Sequence, residues 1–258
     1  MSLSTSSSHS GLNRKFLKRP DGFTAAFTGV FDKVSERSTL FVLILGVLLA
    51  VSVAIGFYLN HRDAKFAAAR NSLYLAGQSL QTELKALDSS KNKPKTDAAS
   101  ESDDEITEFK KLDVDAQFPT AVSKLKAVQT EYDGTRSAYE ARLKLGSLYF
   151  NHGDFSNAVP WYEKAVSSAP SSQEKAMALS ALGYAQEGQG KTKEALDVFQ
   201  KAYSLGEGIL QGDLLLGIAR CYEALHDSAN ARSTYDKILT QLPNTEFSKT
   251  AELYKDQL

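Results

Sequence analysis

Four histidines, one cysteine and two short clusters are the side chains of this chain with chemistry in reach. His9, His61, His152 and His226 stand far apart. None has the HExxH spacing that places two imidazoles on one helix face to hold zinc, so solvated rings are expected. Asp103-Asp104-Glu105 gathers three carboxylates. They lie in a polar run with no scaffold to hold a catalytic geometry. Gly206, Gly208 and Gly212 echo a phosphate loop. They follow a helical pattern rather than a strand, and their spacing is wrong, so they predict an inter-helix turn. Cys221 falls between Ala219 and Tyr222 on a helix, where a small buried residue is expected. A single cysteine allows no internal disulfide. No group meets the geometric requirements of a catalytic site, and the chain reads as a non-enzyme without cofactor or metal.

What the residues do form is a repeat. Gly146, Gly183 and Ala219 are each followed twelve residues later by an alanine: Ala158, Ala195 and Ala231. Four further on come Tyr162, Phe199 and Tyr235, and three beyond those Ala165, Ala202 and Ile238. The offset between copies is 37 residues and then 36. Helical spacing inside a fixed period signals stacked helix hairpins. In the first copy the spacing predicts helix A over Tyr139–Asn151 and helix B over Phe155–Ser168, with Asp154 capping helix B. Small residues mark the helix crossing, where bulk would push the axes beyond their usual 8–10 Å or so. Tyr149, Phe155 and Tyr162 fill the space between. Pro170 stops helix B. Trp161 is expected as partly exposed packing beside Pro160, which should bend the helix.

A half-copy precedes these. Phe118, Ala121, Leu125 and Val128 lie 37 residues before Phe155, Ala158, Tyr162 and Ala165. Its partner helix is expected at 61–87, where Phe66, Ala69, Leu73, Ala76, Leu80, Leu84 and Leu87 make one apolar face. Residues 88–108 are polar and charged, which predicts a disordered linker. The repeat domain then spans 109–258, with copies near 139–172, 176–209 and 212–245. A capping helix over Thr245–Leu258 turns Phe247, Ala251 and Tyr254 inward.

Ahead of the repeats, Thr39–Leu59 carries no charge. It is long enough for a membrane span, which takes about 20 residues. Residues 38–60 are therefore expected to be an uncleaved transmembrane helix, its apolar run being longer than that of a signal peptide. Arg14, Lys15, Lys18, Arg19, Lys33 and Arg37 precede it, and only Arg62, Lys65 and Arg70 closely follow. That asymmetry puts the tail 1–37 in the cytoplasm and the repeats on the far side. The tail opens with a Ser-rich stretch expected to be disordered. Phe23, Phe27, Val30 and Val34 then predict an interfacial helix at 21–37. A net charge of −1 excludes a basic footprint for nucleic acid.

The small–small–aromatic–small–Pro order across Tyr139–Pro243 resembles the tetratricopeptide repeat (TPR). The resemblance implies an all-α fold, a TPR helix-hairpin solenoid preceded by a single transmembrane helix. Arg142, Leu179 and Leu215 replace the usual first-position Trp. The period exceeds the usual 34 residues or so, so longer turns are expected at Ala169–Gln173 and Gly206–Gln211. TPR proteins bind partners along a concave face lined by helix A. Carried over by position, that face comprises Glu140, Leu143, Ser147, Phe150 and Asn151, then Met177, Ser180, Tyr184 and Glu187, then Asp213, Leu216, Arg220 and Glu223. Leu143, Phe150, Tyr184 and Leu216 are the expected apolar anchors, on a face with no need of them for folding. Arg220 is the polar contact. The positions of a carboxylate clamp hold Leu143, Ser147, Ala181, Asp213 and Gly217, so the chaperone-tail clamp is absent.

The order of parts, and Gly56–Ala76 above all, resembles the YfgM family of ancillary Sec-translocon subunits. The resemblance implies a bacterial inner-membrane, single-pass protein with a cytoplasmic N-terminus and a periplasmic TPR domain. Its partners would be translocon subunits, periplasmic chaperones or envelope proteins, reached without nucleic acid. The repeats also resemble cell-envelope coordinators of the Tol–Pal type, which implies a scaffold able to form homo-oligomers.

Overall fold

A computed structural model describes residues 38–91 and 113–258. The expected interfacial helix at 21–37, His9, the carboxylates 103–105 and residues 92–108 of the linker lie outside them. All regular structure among the described residues is helical.

Helix α1, Ser38–Lys91, is one unbroken element of 54 residues. It carries both the uncharged apolar run 39–59 and the apolar face expected at 61–87. Its last turn takes in Asp88–Lys91, which the polar composition assigns to the linker, because a helix propagates at little cost once its nucleus exists. Two compact units divide at Arg62 and Asp63. In the first, Val42, Leu43, Leu45, Leu48, Leu49 and Val53 all expose their side chains. This is the one helix among those described that is long and apolar enough to cross a membrane.

The second unit is a stack of hairpins. After α1 come α2 (Val114–Gln117) and α3 (Pro119–Glu131). Three hairpins follow: α4 (Arg136–Asn151) with α5 (Phe155–Ser168), α6 (Ser172–Gly188) with α7 (Thr192–Leu205), and α8 (Ile209–Ala224) with α9 (Ser228–Gln241). Helix α10 (Glu246–Lys255) closes the array, started by a capping box between Thr245 and Ser248.

The repeat pattern explains each hairpin. A Cβ on Gly146 would come within 2.6 Å of the Tyr162 ring, and one on Gly183 within 2.6 Å of Phe199. The missing side chain lets helix A settle on the aromatic of helix B. The same device joins neighbours: Phe155 lies over Gly188, and Phe247 over Gly212. The turns inside the hairpins also repeat. Asp154, Lys191 and Asp227 donate their backbone N–H to Tyr149, Gln186 and Tyr222. The preceding residue is left-handed each time, as Gly153, Gly190 and then His226. Asp154 and Asp227 cap α5 and α9 through the N–H groups of Asn157 and Asn230.

Two expectations are corrected here. The turns between hairpins are short, residues 169–171 and 206–208. The long period instead resides in the A helices, at 16, 17 and 16 residues against 14 in each B helix. His152 is not simply solvated. Its Nδ1 lies 2.8 Å from the Leu148 carbonyl and its ring packs edge-on against Phe118.

Helix α1 takes the place of helix A for the half-copy. Ala69, Leu73 and Ala76 are buried, and Leu73 and Ala76 share one core with Phe118, Ala121, Leu125 and Val128. Phe66 and Leu84 of the same stripe stay exposed. Glu83 fixes the register. Its carboxylate accepts the N–H groups of Thr120 and Ala121 at 2.9 and 3.1 Å. It thereby caps α3, whose own N-cap, Phe118, has no polar side chain.

Candidate partner-binding groove

The A helices α4, α6 and α8 carry the thirteen positions expected on the concave face, and the structure puts them to different uses. Between α6 and α8 they form a polar ladder. The Tyr184 hydroxyl donates to Asp213 Oδ1 at 2.8 Å, and the Ser180 hydroxyl donates to Oδ2 at 3.4 Å. Arg220 donates Nε and Nη2 to the two oxygens of Glu187 at 3.0 and 2.9 Å. Such a bidentate pair is the strong form of this interaction. The Arg220 guanidinium lies 5.3 Å from the Tyr184 ring centroid, and that ring stands edge-on to Phe199 at 5.0 Å. Burial, then the Asp213 bond, push the Tyr184 hydroxyl up to about 12.

Ser180 is therefore not in an open groove. It is 6% exposed, because successive A helices approach closely enough to cover it. Nor are the expected apolar anchors spare. Leu143, Phe150, Tyr184 and Leu216 are half-buried and pack on the cores of the stack. Phe150 meets Phe155 edge-on at 5.3 Å. Glu223 accepts the Tyr235 hydroxyl at 2.8 Å, and Ser147, itself exposed, accepts that of Tyr162 at 3.3 Å. Met177 and Asn151 are exposed, and Met177 keeps 52% of its surface in solvent.

Between α4 and α6 the link is thinner. The Tyr139 hydroxyl donates to the Glu174 carbonyl at 2.8 Å, and Arg136 forms ion pairs with Glu140 and Glu174. Between α1 and α4 the face opens into a cavity of about 730 Å³. Arg70, Leu73, Tyr74 and Gly77 line it from α1, and Glu140 and Lys144 from α4. That volume is typical of ligand-binding clefts. Of the thirteen expected residues only Glu140 lines it. The α1 residues escaped a reading that carried positions over from complete repeats. Gly77, inside a helix with no marked crossing partner, was the available signal.

Residues 134–208 match a tetratricopeptide repeat family profile, and residues 213–245 match a second. The chain carries tetratricopeptide repeats. It is also similar to two crystal structures of nearly identical TPR-like repeats from a kinesin-light-chain-like protein of Podosopora anserina. Each is 16% identical, with a TM-score of 0.47, covering 55% of this chain and 77% or 78% of theirs. A comparison with curated proteins gives no match. TPR domains are protein–protein interaction modules, and this TPR domain has the stacked A helices that build such a surface.

The other reactive groups are absorbed by the fold. Cys221 is fully buried in the core, and burial pushes its thiol up to about 11. A thiolate is what reacts, so this sulfur is inert at neutral pH. Gly206 and Gly208 lie in the short turn before α8. Trp161 is half-buried with the Lys164 ammonium 4.3 Å from its ring centroid, and Pro160 lies inside α5.

Proposed function

We propose that this chain is a membrane-anchored periplasmic interaction module, an ancillary factor of the Sec translocon and its periplasmic chaperone network. The observation that carries the reading is α1. One helix holds an exposed apolar run over Val42–Leu59 and, further on, the buried residues Ala69, Leu73 and Ala76 of the TPR domain. A module tethered this way meets its partners at the membrane. The excess of Lys and Arg before the span supports a cytoplasmic N-terminus.

A second reading, a Tol–Pal-like envelope scaffold that self-associates, draws support from α10. Leu253 on that helix stays exposed at 60%, and so, against the expectation that it turns inward, does Tyr254 at 42%. One measurement tests the orientation that both readings share, and a second separates them. A reporter fused after Leu258 and active only in an oxidising compartment is expected to be active; activity in the cytoplasm would overturn the orientation. Purification from mild detergent is expected to bring down translocon subunits. Recovery of peptidoglycan-associated or outer-membrane factors, with a dimeric species on sizing, would favour the scaffold.

A further inference from the structure

The cavity between α1 and α4 differs from the rest of the A-helix face in three ways. Its charge is one-sided. Arg70 and Lys144 are exposed on opposite walls, and among the described residues neither is in an ion pair. The one acid on the lining, Glu140, is already held by Arg136 at 3.1 Å. Its floor is apolar but has a directed donor. Leu73 and Leu80 lie beneath, while Tyr74 is 63% exposed and its hydroxyl accepts from Gln78 Nε2 at 2.8 Å. The Tyr74 proton is thus left to donate to an incoming acceptor. Finally, Gly77 sits in the helix interior, where glycine is destabilising. A Cβ there would meet nothing within 4 Å. The packing of Gly146 or Gly183 explains those glycines. No packing within the fold explains Gly77.

We infer that this groove binds an acidic peptide segment of a partner protein that carries an apolar side chain. Its carboxylates go to Arg70 and Lys144. Its apolar side chain covers Leu73 and Tyr74. Its backbone crosses α1 over Gly77, where only a bare Cα allows close approach. Charge complementarity selects the occupant: a cationic rim over an apolar floor suits an acidic, apolar segment and repels a basic one. The assignment rests on the reading of the TPR domain as an interaction module and names the segment it takes.

The test uses the full chain in detergent micelles and a fluorescein-labelled peptide of Glu and Asp around a central Leu, read by anisotropy. A control peptide has Gln and Asn in place of the acids. The acidic peptide is expected to bind about tenfold or more tighter, and to weaken with salt. Arg70→Glu with Lys144→Glu is expected to abolish that preference. Gly77→Leu is expected to weaken binding without lowering the thermal melt, and Arg232→Glu, at an exposed position of α9, to change nothing. Equal binding of the two peptides, or indifference to the charge reversals, would overturn the inference. So would a groove that takes phosphatidylglycerol vesicles and not the peptide. Partner capture separates this from the broader reading. If wild type and the charge-reversed variant recover the same membrane partners, the groove assignment falls and the module stands. If wild type recovers none, the module reading itself falls.

Discussion

The α6–α8 face and the α1–α4 face occupy equivalent places in the stack, yet one is closed and the other open. On the closed face Tyr184, Ser180, Asp213, Glu187 and Arg220 spend their hydrogen bonds on each other. On the open face Tyr74, Arg70 and Lys144 turn toward a cavity. The contrast teaches that polar and aromatic residues on a helix A are not in themselves a binding signal. Where adjacent A helices approach closely, such residues fix the angle between repeats. Where the approach is looser, as beside α1, the same residue types remain available to a ligand. Stability and binding should therefore separate along the array, and substitutions can break that claim.

The largest effect is expected at Phe199. It is fully buried, lies over Gly183 and Gly217, and supports Tyr184 from beneath. Phe199→Ala should cost about 3–5 kcal/mol, the usual loss for truncating a buried aromatic. Urea unfolding measures it. Acidic-peptide binding at the distant groove should survive in the fraction that stays folded. A loss below 1 kcal/mol or so would show that the α6–α8 region is not the stable half.

Arg220→Ala comes next. The pair with Glu187 is only partly shielded, so its removal should cost about 1–2 kcal/mol, between the exposed and buried cases. Adding Glu187→Gln to that variant should cost little more, because the two side chains act as one unit. Additive losses would mean that the ladder is a set of independent contacts.

The two faces also differ in how far residue types alone reveal them. Crossing positions such as Gly146 with Tyr162 and Gly183 with Phe199 are legible, because a small residue opposite an aromatic is a local requirement repeated at a fixed period. Ser180 is not legible. Whether it faces solvent depends on the angle between α6 and α8, which is set jointly by helix lengths and every packed layer between them. The same holds for the turns at 169–171 and 206–208. A 37-residue period counts residues without saying whether a helix or a loop absorbs the surplus. The groove escaped for a different reason: one wall belongs to α1, which lacks the repeat's signature residues and could only be read as an apolar stripe.

Tyr184→Phe should have a smaller effect, about 1 kcal/mol for one lost hydrogen bond. Its pH dependence is the sharper measurement. Burial first, and then the bond to Asp213, raise the hydroxyl from 10 to about 12 in the folded chain. A group raised in the folded state contributes fully below its unfolded pKa, and the contribution fades as pH climbs to the folded one. The gap in melting temperature between wild type and Tyr184→Phe should stay constant up to about pH 10 and close between there and pH 12 or so. Tyr139, also pushed up to about 12, is present in both proteins and cancels. A gap that persists to pH 12 would place the Tyr184 hydroxyl outside the ladder.

The smallest effect is expected at Gly77, and it has the opposite sign. A methyl group there meets nothing, and alanine narrows the unfolded chain's freedom while favouring the helix. Gly77→Ala should stabilise the TPR domain by about 0.5–1 kcal/mol, a rise of about 1–4 °C in the melt. The same substitution at Gly183 should do the reverse. Its Cβ would stand 2.6 Å from the Phe199 ring, which the surrounding core prevents from moving aside. Overpacking of that kind costs about 1–3 kcal/mol. Two glycines on two A helices would thus answer one change with opposite shifts, since one is bare to fit the fold and the other is bare without benefit to it. A stabilised Gly77→Ala protein with weakened peptide binding would show stability given up for access at this helix. A destabilised one would mean that α1 packs more tightly against its neighbours than the open cavity allows, and the comparison between the two faces would fail at its open end.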